Sequence, residues 1–128
     1  MRLVVLESPY AGKNWWERYK NIRYARACVR DCLKRKEAPL ASHLLYTQRG
    51  ILKDHIAEER RLGIDAGLAW GPKADATVVY VDRGLSLGMK YGIMYARREN
   101  RPVEYRTLYP DRARNWDPQW GDPTSPMA

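Results

Sequence analysis

Two short apolar runs constrain this chain most. Leu3-Val4-Val5-Leu6 and Ala76-Thr77-Val78-Val79-Tyr80-Val81 are rich in β-branched residues and do not alternate polar with apolar positions. A strand with one wet face alternates, whereas a strand covered on both faces stays apolar throughout. Both runs therefore predict central strands of a parallel sheet. Each ends in a carboxylate and turn residues: Glu7-Ser8-Pro9-Tyr10-Ala11-Gly12 after the first, and Asp82-Arg83-Gly84-Leu85-Ser86 after the second. Ligands of open parallel sheets bind beyond the carboxyl ends of the strands. Asp82 to Met89 thus reads either as a ligand edge or as an ordinary strand-to-helix turn in which Ser86 caps the helix.

The remaining segments alternate in type. Helical periodicity extends to about Lys36, with Ile22, Ala25, Val29, Cys32 and Leu33 as its expected buried stripe. Asn21 is the expected cap of its regular part, with Trp15 to Lys20 an extension or early turn. A second strand is expected over 38–42, at a sheet edge because Pro39 lacks an N–H. A polar-aromatic loop over 43–50 follows. A helix is expected over 56–70, stopped by Gly71-Pro72, with Glu58 and Glu59 complementing its dipole. His55, at its mouth, is assigned no role. A strand over 77–81, a helix over 86–98 and a strand over 102–105, extendable through Leu108, complete the pattern. This β-α-β-α-β-α-β order predicts an α/β fold with helices on both faces of a mainly parallel sheet of four or five strands, ordered near 2-1-3-4. The first and third strands would then be neighbours, and their loops would share a crevice.

Residues 1–108 are expected to form one domain and 109–128 a proline-rich tail, marked by Pro110, Pro118, Pro123 and Pro126. Trp116 and Trp120 suggest that the tail packs on its own domain or on another subunit. The chain carries a net charge of +8, which favours anionic partners. Many cations, including Arg23, Arg26, Arg30, Lys34, Arg35 and Lys36, fall in a helical segment. A solvated helix face explains them better than a nucleic-acid stripe. No apolar run approaches the roughly 20 residues that span a bilayer, and no signal peptide is evident, so a cytoplasmic protein is expected. Cys28 and Cys32, four apart, read as reduced thiols on one helix face rather than as a metal pair, so neither metal nor cofactor is expected.

The set Ser8-Pro9-Tyr10-Ala11-Gly12, Asn21, His43-Leu44-Leu45-Tyr46-Thr47-Gln48, Ala74-Asp75 and Ser86-Leu87-Gly88-Met89, in that order and spacing, resembles the nucleoside 2-deoxyribosyltransferase-like superfamily. More narrowly, it is similar to small bacterial and phage domains of unknown function within it. The resemblance covers about residues 1–108. It implies a flavodoxin-like three-layer sandwich, homo-oligomers, and a pocket for a nucleoside or nucleotide. It also implies exchange or hydrolysis of the N-glycosidic bond through a glutamate that attacks the sugar C1′.

The resemblance implies that the pocket is lined by Ser8, Pro9, Tyr10, Gly12, Asn21, His43, Tyr46, Gln48, Asp82, Gly84, Ser86, Gly88 and Met89. In that pocket His43 would meet a phosphate, ribose or base edge, Tyr46 would stack on a base, and Gln48 would read its edge. One departure matters more than the matches. The resemblance implies that glutamate three residues after the Met, where this chain has Gly92. Glycine can neither attack C1′ nor stabilise an oxocarbenium ion. Glu7 and Asp82 are the carboxylates expected to replace it if the chain is an enzyme. The preferred expectation is nucleotide recognition without turnover. The alternatives are a transferase or hydrolase with a relocated carboxylate, and a basic nucleic-acid-binding accessory protein.

Overall fold

The computed structural model describes residues 1–110. Four strands, β1 (Arg2–Glu7), β2 (Glu37–Leu40), β3 (Ala76–Tyr80) and β4 (Val103–Arg106), pair in parallel in the order β2-β1-β3-β4. The helices are α1 (Trp15–Lys34), the short α2 (Ser42–Leu45), α3 (Ala57–Trp70) and α4 (Leu87–Arg98), with one 3-10 turn at Gly71–Lys73. This is the α/β architecture and strand order expected from the alternation of segments. The order reverses between β1 and β3, so the switch point lies where Glu7 stands opposite Val79.

Side-chain alternation explains the unbroken apolar runs. Val4, Leu6, Val78 and Tyr80 face α1 and pack with Tyr24, Cys28 and Cys32. Val79, Val81, Val103 and Tyr105 face the other way and pack with Met89, Ile93 and Ala96 of α4. Both faces of β3 are covered, and all five of its residues are buried. Pro39 sits on edge strand β2 opposite Val4, as its missing N–H requires.

Several boundaries differ from expectation. α1 begins at Trp15, because Asn14 caps it by accepting the N–H of Glu17 at 3.0 Å. Asn21 is therefore no cap but a buried residue inside the helix. The buried stripe is Asn21, Tyr24, Ala25, Cys28 and Cys32, which turns Leu33 out to 50% exposure. β2 ends at Leu40 because Ser42 already starts α2, where a loop was expected. The Leu108 N–H leaves the β4 ladder and donates to Asp82 instead. Ser86 does cap α4, its Oγ accepting the Met89 N–H at 3.2 Å. The expected tail lies, beyond Pro110, outside the described residues, and so does the expected packing of Trp116 and Trp120. No helix among the described residues is long and apolar enough to cross a membrane.

A charged cluster is buried on the α1 side. Arg106, 6% exposed, donates to both carboxylate oxygens of Glu37 at 2.7 Å each. Arg2 pairs with Glu37 at 3.1 Å and with Glu104. The two arginines hold the Glu37 carboxyl below its usual range. Removing Arg106 leaves the buried Glu37 with only the more exposed Arg2, so Arg106→Ala is expected to cost up to about 3–5 kcal/mol of stability in urea denaturation. Arg106→Ala with Glu37→Ala should recover part of that loss, because no half-paired buried carboxylate remains at Glu37.

Candidate functional site

A cavity of about 350 Å³ opens on the α4 side at the carboxyl edge of β1. Its floor is Val5, Glu7 and Ser8 of β1 and the turn that follows, with Tyr10 beside them. One wall is α4, through Leu87, Gly88, Met89, Tyr91, Gly92 and Tyr95. The opposite wall is α3, through Glu59, Arg60, Gly63, Ile64, Gly67 and Leu68. Ser42, His43, Tyr46 and Thr47, from α2 and the turn after it, close a third side.

Glu7 and Gly92 face each other across the floor. A Cβ built on Gly92 would lie 2.5 Å from the Glu7 carboxyl carbon and from both of its oxygens. The carboxyl group, the end of a flexible side chain, thus occupies the volume that a larger residue at 92 would fill, and any side chain there would push it aside. Glu7 has no hydrogen bond or ion pair among the described residues. Burial pushes its pKa up to about 8, and the positive charge of Arg101 only partly opposes the shift. At neutral pH this carboxyl is therefore mostly protonated and presents one donor and one acceptor to the cavity. Arg101 also lines the cavity and is held by Glu99 and by the Thr77 hydroxyl, to which its Nε donates at 2.9 Å.

Ser8 and His43 form a second polar point, with Oγ and Nε2 2.7 Å apart. Desolvation lowers the His43 pKa to about 4, so the ring is neutral at pH 7. The Tyr10 ring lies 6.3 Å from it, tilted by 49°. Tyr46 accepts a hydrogen bond from Trp70 Nε1 at 3.0 Å, which ties the α2 side of the wall to the end of α3.

Of the residues singled out in the sequence, Glu7, Ser8, Tyr10, His43, Tyr46, Ser86, Gly88 and Met89 line the cavity. Pro9, Gly12, Asn21, Gln48, Asp82 and Gly84 do not. Asn21 works from behind: its Nδ2 donates to the carbonyls of Tyr10 and Ala11 at 3.2 Å, and its Oδ1 accepts from Arg83 Nε at 2.9 Å. Gly12 lies so close to the first turn of α1 that its Cβ would stand 2.5 Å from that of Glu17. Gly84 takes a left-handed φ of 81° in the turn after β3.

Asp82 does not share a crevice with Glu7. Two residues beyond Tyr80, it points to the α1 side, whereas Glu7 points to the α4 side. Its carboxylate is saturated by the Tyr24 hydroxyl at 2.5 Å and by the backbone N–H groups of Leu108 at 2.9 Å and Tyr109 at 2.7 Å. The α3 wall was missed entirely. Gly63 and Gly67, four apart on α3, were its available signal: a Cβ on Gly63 would meet Leu52, and one on Gly67 would meet Ser42.

Among curated proteins, none matches this chain. Among solved structures, a 2-deoxyribosyltransferase from the psychrotolerant bacterium Bacillus psychrosaccharolyticus superposes with a TM-score of 0.57, at 17% sequence identity, over 82% of this chain and 72% of that one. That likeness establishes a shared fold. Residues 2–106 match the family model described as a domain of unknown function (DUF7768), and the chain belongs to that family.

Proposed function

We propose that the cavity binds a nucleoside or nucleotide, with Glu7 as its central polar contact. The observation that carries this reading is the Glu7 carboxyl, unpartnered among the described residues and seated against Gly92 at the floor. A neutral carboxyl offers the paired donor and acceptor that a base or sugar edge needs. Tyr10, Tyr46, Tyr91 and Tyr95 supply aromatic surface, and Arg60 supplies a cation for a phosphate. The volume falls in the range of small-molecule sites. The shared fold with a 2-deoxyribosyltransferase supports a nucleoside over other small ligands.

One observation favours a second reading, in which Glu7 acts on the N-glycosidic bond. Its carboxyl group lies where a residue at 92 would project, so it is offered to the cavity from the place where the family resemblance implies a glutamate. Binding without turnover remains the preferred reading. Asp82 is saturated elsewhere, so the expected pair of carboxylates at one crevice is not available. The half-exposed stripe of Leu87, Tyr91 and Met94 on α4, beside the cavity, supports a homo-oligomer.

Titration calorimetry with a panel of nucleosides and monophosphates tests the proposal. Gly92→Ala is expected to weaken binding at least tenfold, because its methyl group displaces the Glu7 carboxyl. Tyr10→Ala should weaken it about five- to tenfold. Wild-type affinity in both variants would remove the cavity as the binding site. Chromatography decides between the readings: no free base is expected, and release that disappears in Glu7→Gln would establish the enzyme instead.

A further inference from the structure

The outer face of α1 carries a second and separate feature. Trp16, Tyr19, Arg23, Arg26, Arg30 and Lys34 recur at spacings of three, four, three, four and four, which places them on one helical stripe. The stripe lies opposite the buried side of the helix, marked by Asn21, Tyr24, Cys28 and Cys32. Its N-terminal end is aromatic. Trp16 and Tyr19 are 50% and 45% exposed and stack on each other, with ring centres 5.7 Å apart and planes 21° apart. Trp15, still more exposed, stands edge-on to Trp16 at 5.6 Å. Lys20 lies 5.2 Å from the Trp16 ring centre, and Arg23 lies 5.9 Å from that of Tyr19.

The rest of the stripe is cationic and bears no acid. α1 as a whole holds six cations against two acids, Glu17 and Asp31. Asp31 pairs with Arg35 beyond the helix end and accepts from the Tyr80 hydroxyl. Arg23, Arg26, Arg30 and Lys34 have no ion pair among the described residues. A merely solvated helix face explains the cations but not three large exposed rings at one end of the row.

We propose that this stripe binds single-stranded nucleic acid without base specificity. Exposed bases would stack on Trp16 and Tyr19, while the phosphate backbone would run along Arg23, Arg26, Arg30 and Lys34. Stacking platforms joined to a cationic track bind single strands in this way, because every base has a π-face. Charge complementarity selects a polyanion over a second copy of this basic chain. Beyond the Tyr19 hydroxyl, at the tip of a stacking ring, the row offers no uncharged hydroxyl or amide to read a 2′-hydroxyl, so DNA and RNA strands of equal length should bind alike.

The test is fluorescence anisotropy of the full chain with labelled 20-nucleotide oligo-dT and oligo-U at 50 and 200 mM salt. The expected result is binding to both strands. Affinity should fall roughly fifty-fold between the two salt concentrations if four phosphates are contacted. Trp16→Ala combined with Tyr19→Ala should weaken binding about tenfold or more at fixed salt. Arg23→Glu combined with Arg30→Glu should flatten the salt dependence. All four positions are exposed, and circular dichroism verifies that the variants stay folded. The proposal is overturned by absence of binding at 50 mM salt, by equal affinity for a blunt duplex, or by aromatic variants that bind like wild type. It is also overturned if sedimentation shows that the aromatic variants dissociate an oligomer. Nucleoside calorimetry on the same variants should be unchanged, which separates this site from the cavity.

Discussion

Asp82→Ala is expected to lower the stability of the domain by about 3–5 kcal/mol, the combined cost of taking a charged acceptor from its neutral hydrogen-bond donors. Asp82 is 7% exposed. It gathers the Tyr24 hydroxyl from α1 and two successive backbone N–H groups, those of Leu108 and Tyr109. Its own N–H donates back to the Tyr24 hydroxyl at 3.0 Å. Burial raises the Tyr24 pKa, so that hydroxyl stays protonated and remains a donor. Alanine takes this acceptor from the buried Tyr24 hydroxyl and from the backbone N–H groups of Leu108 and Tyr109, and a buried group left unsatisfied costs on the order of 1–3 kcal/mol. Asp82→Asn should lose less, since an amide oxygen still accepts. Urea denaturation at pH 7 measures both. Nucleoside affinity of the folded fraction should match wild type, because the side chain lies across the sheet from the cavity. Unchanged stability together with lost affinity would return Asp82 to the binding site.

The second large effect is a dependence of stability on pH that runs through Glu7. Its carboxyl titrates near 4.5 when unfolded and near 8 when folded. A raised folded pKa means that the native state holds its proton more tightly. The stabilisation is fully present below about pH 4.5 and is lost as the pH rises through about 8. At 1.36 kcal/mol per unit, the change across that window reaches up to about 5 kcal/mol. Glu7→Gln keeps the shape and cannot ionise, so at pH 8.5 it should be several kcal/mol more stable than wild type. Near pH 5 the two should be close. His43 works in the opposite direction, since its folded pKa is depressed to about 4: its contribution is present above about pH 6.5 and fades as the pH falls toward 4. The difference between wild type and Glu7→Gln isolates the carboxyl. A wild-type stability curve parallel to that of the variant from pH 5 to 8.5 would show that Glu7 is ordinarily solvated.

The central strands were legible because burial on both faces leaves a direct mark, an apolar run without alternation. Pro39 marked the edge in the same direct way. The site was legible only in part. Glu7, Ser8, Tyr10, His43 and the Ser86 to Met89 turn could be placed, since each follows the carboxyl end of a strand. The α3 wall could not, because α3 has no fully buried residue and its close seat against Leu52 and Ser42 rests on two glycines. Asn14 lost the cap of α1 to Asn21 in the reading of the residues, although Glu17 three positions on was the signal for it.

The amino-acid sequence alone determined the two central strands, the edge position of β2 and the absence of a carboxylate at position 92. Those properties follow from local periodicity and residue identity, which need no knowledge of distant neighbours. Only the tertiary structure decided which carboxylate meets the cavity. Glu7 and Asp82 look equivalent along the chain, each ending a central strand, yet the pleat sends one toward α4 and the other toward α1. The first is left unpartnered over a glycine 85 positions away, and the second is saturated by a tyrosine and two backbone amides.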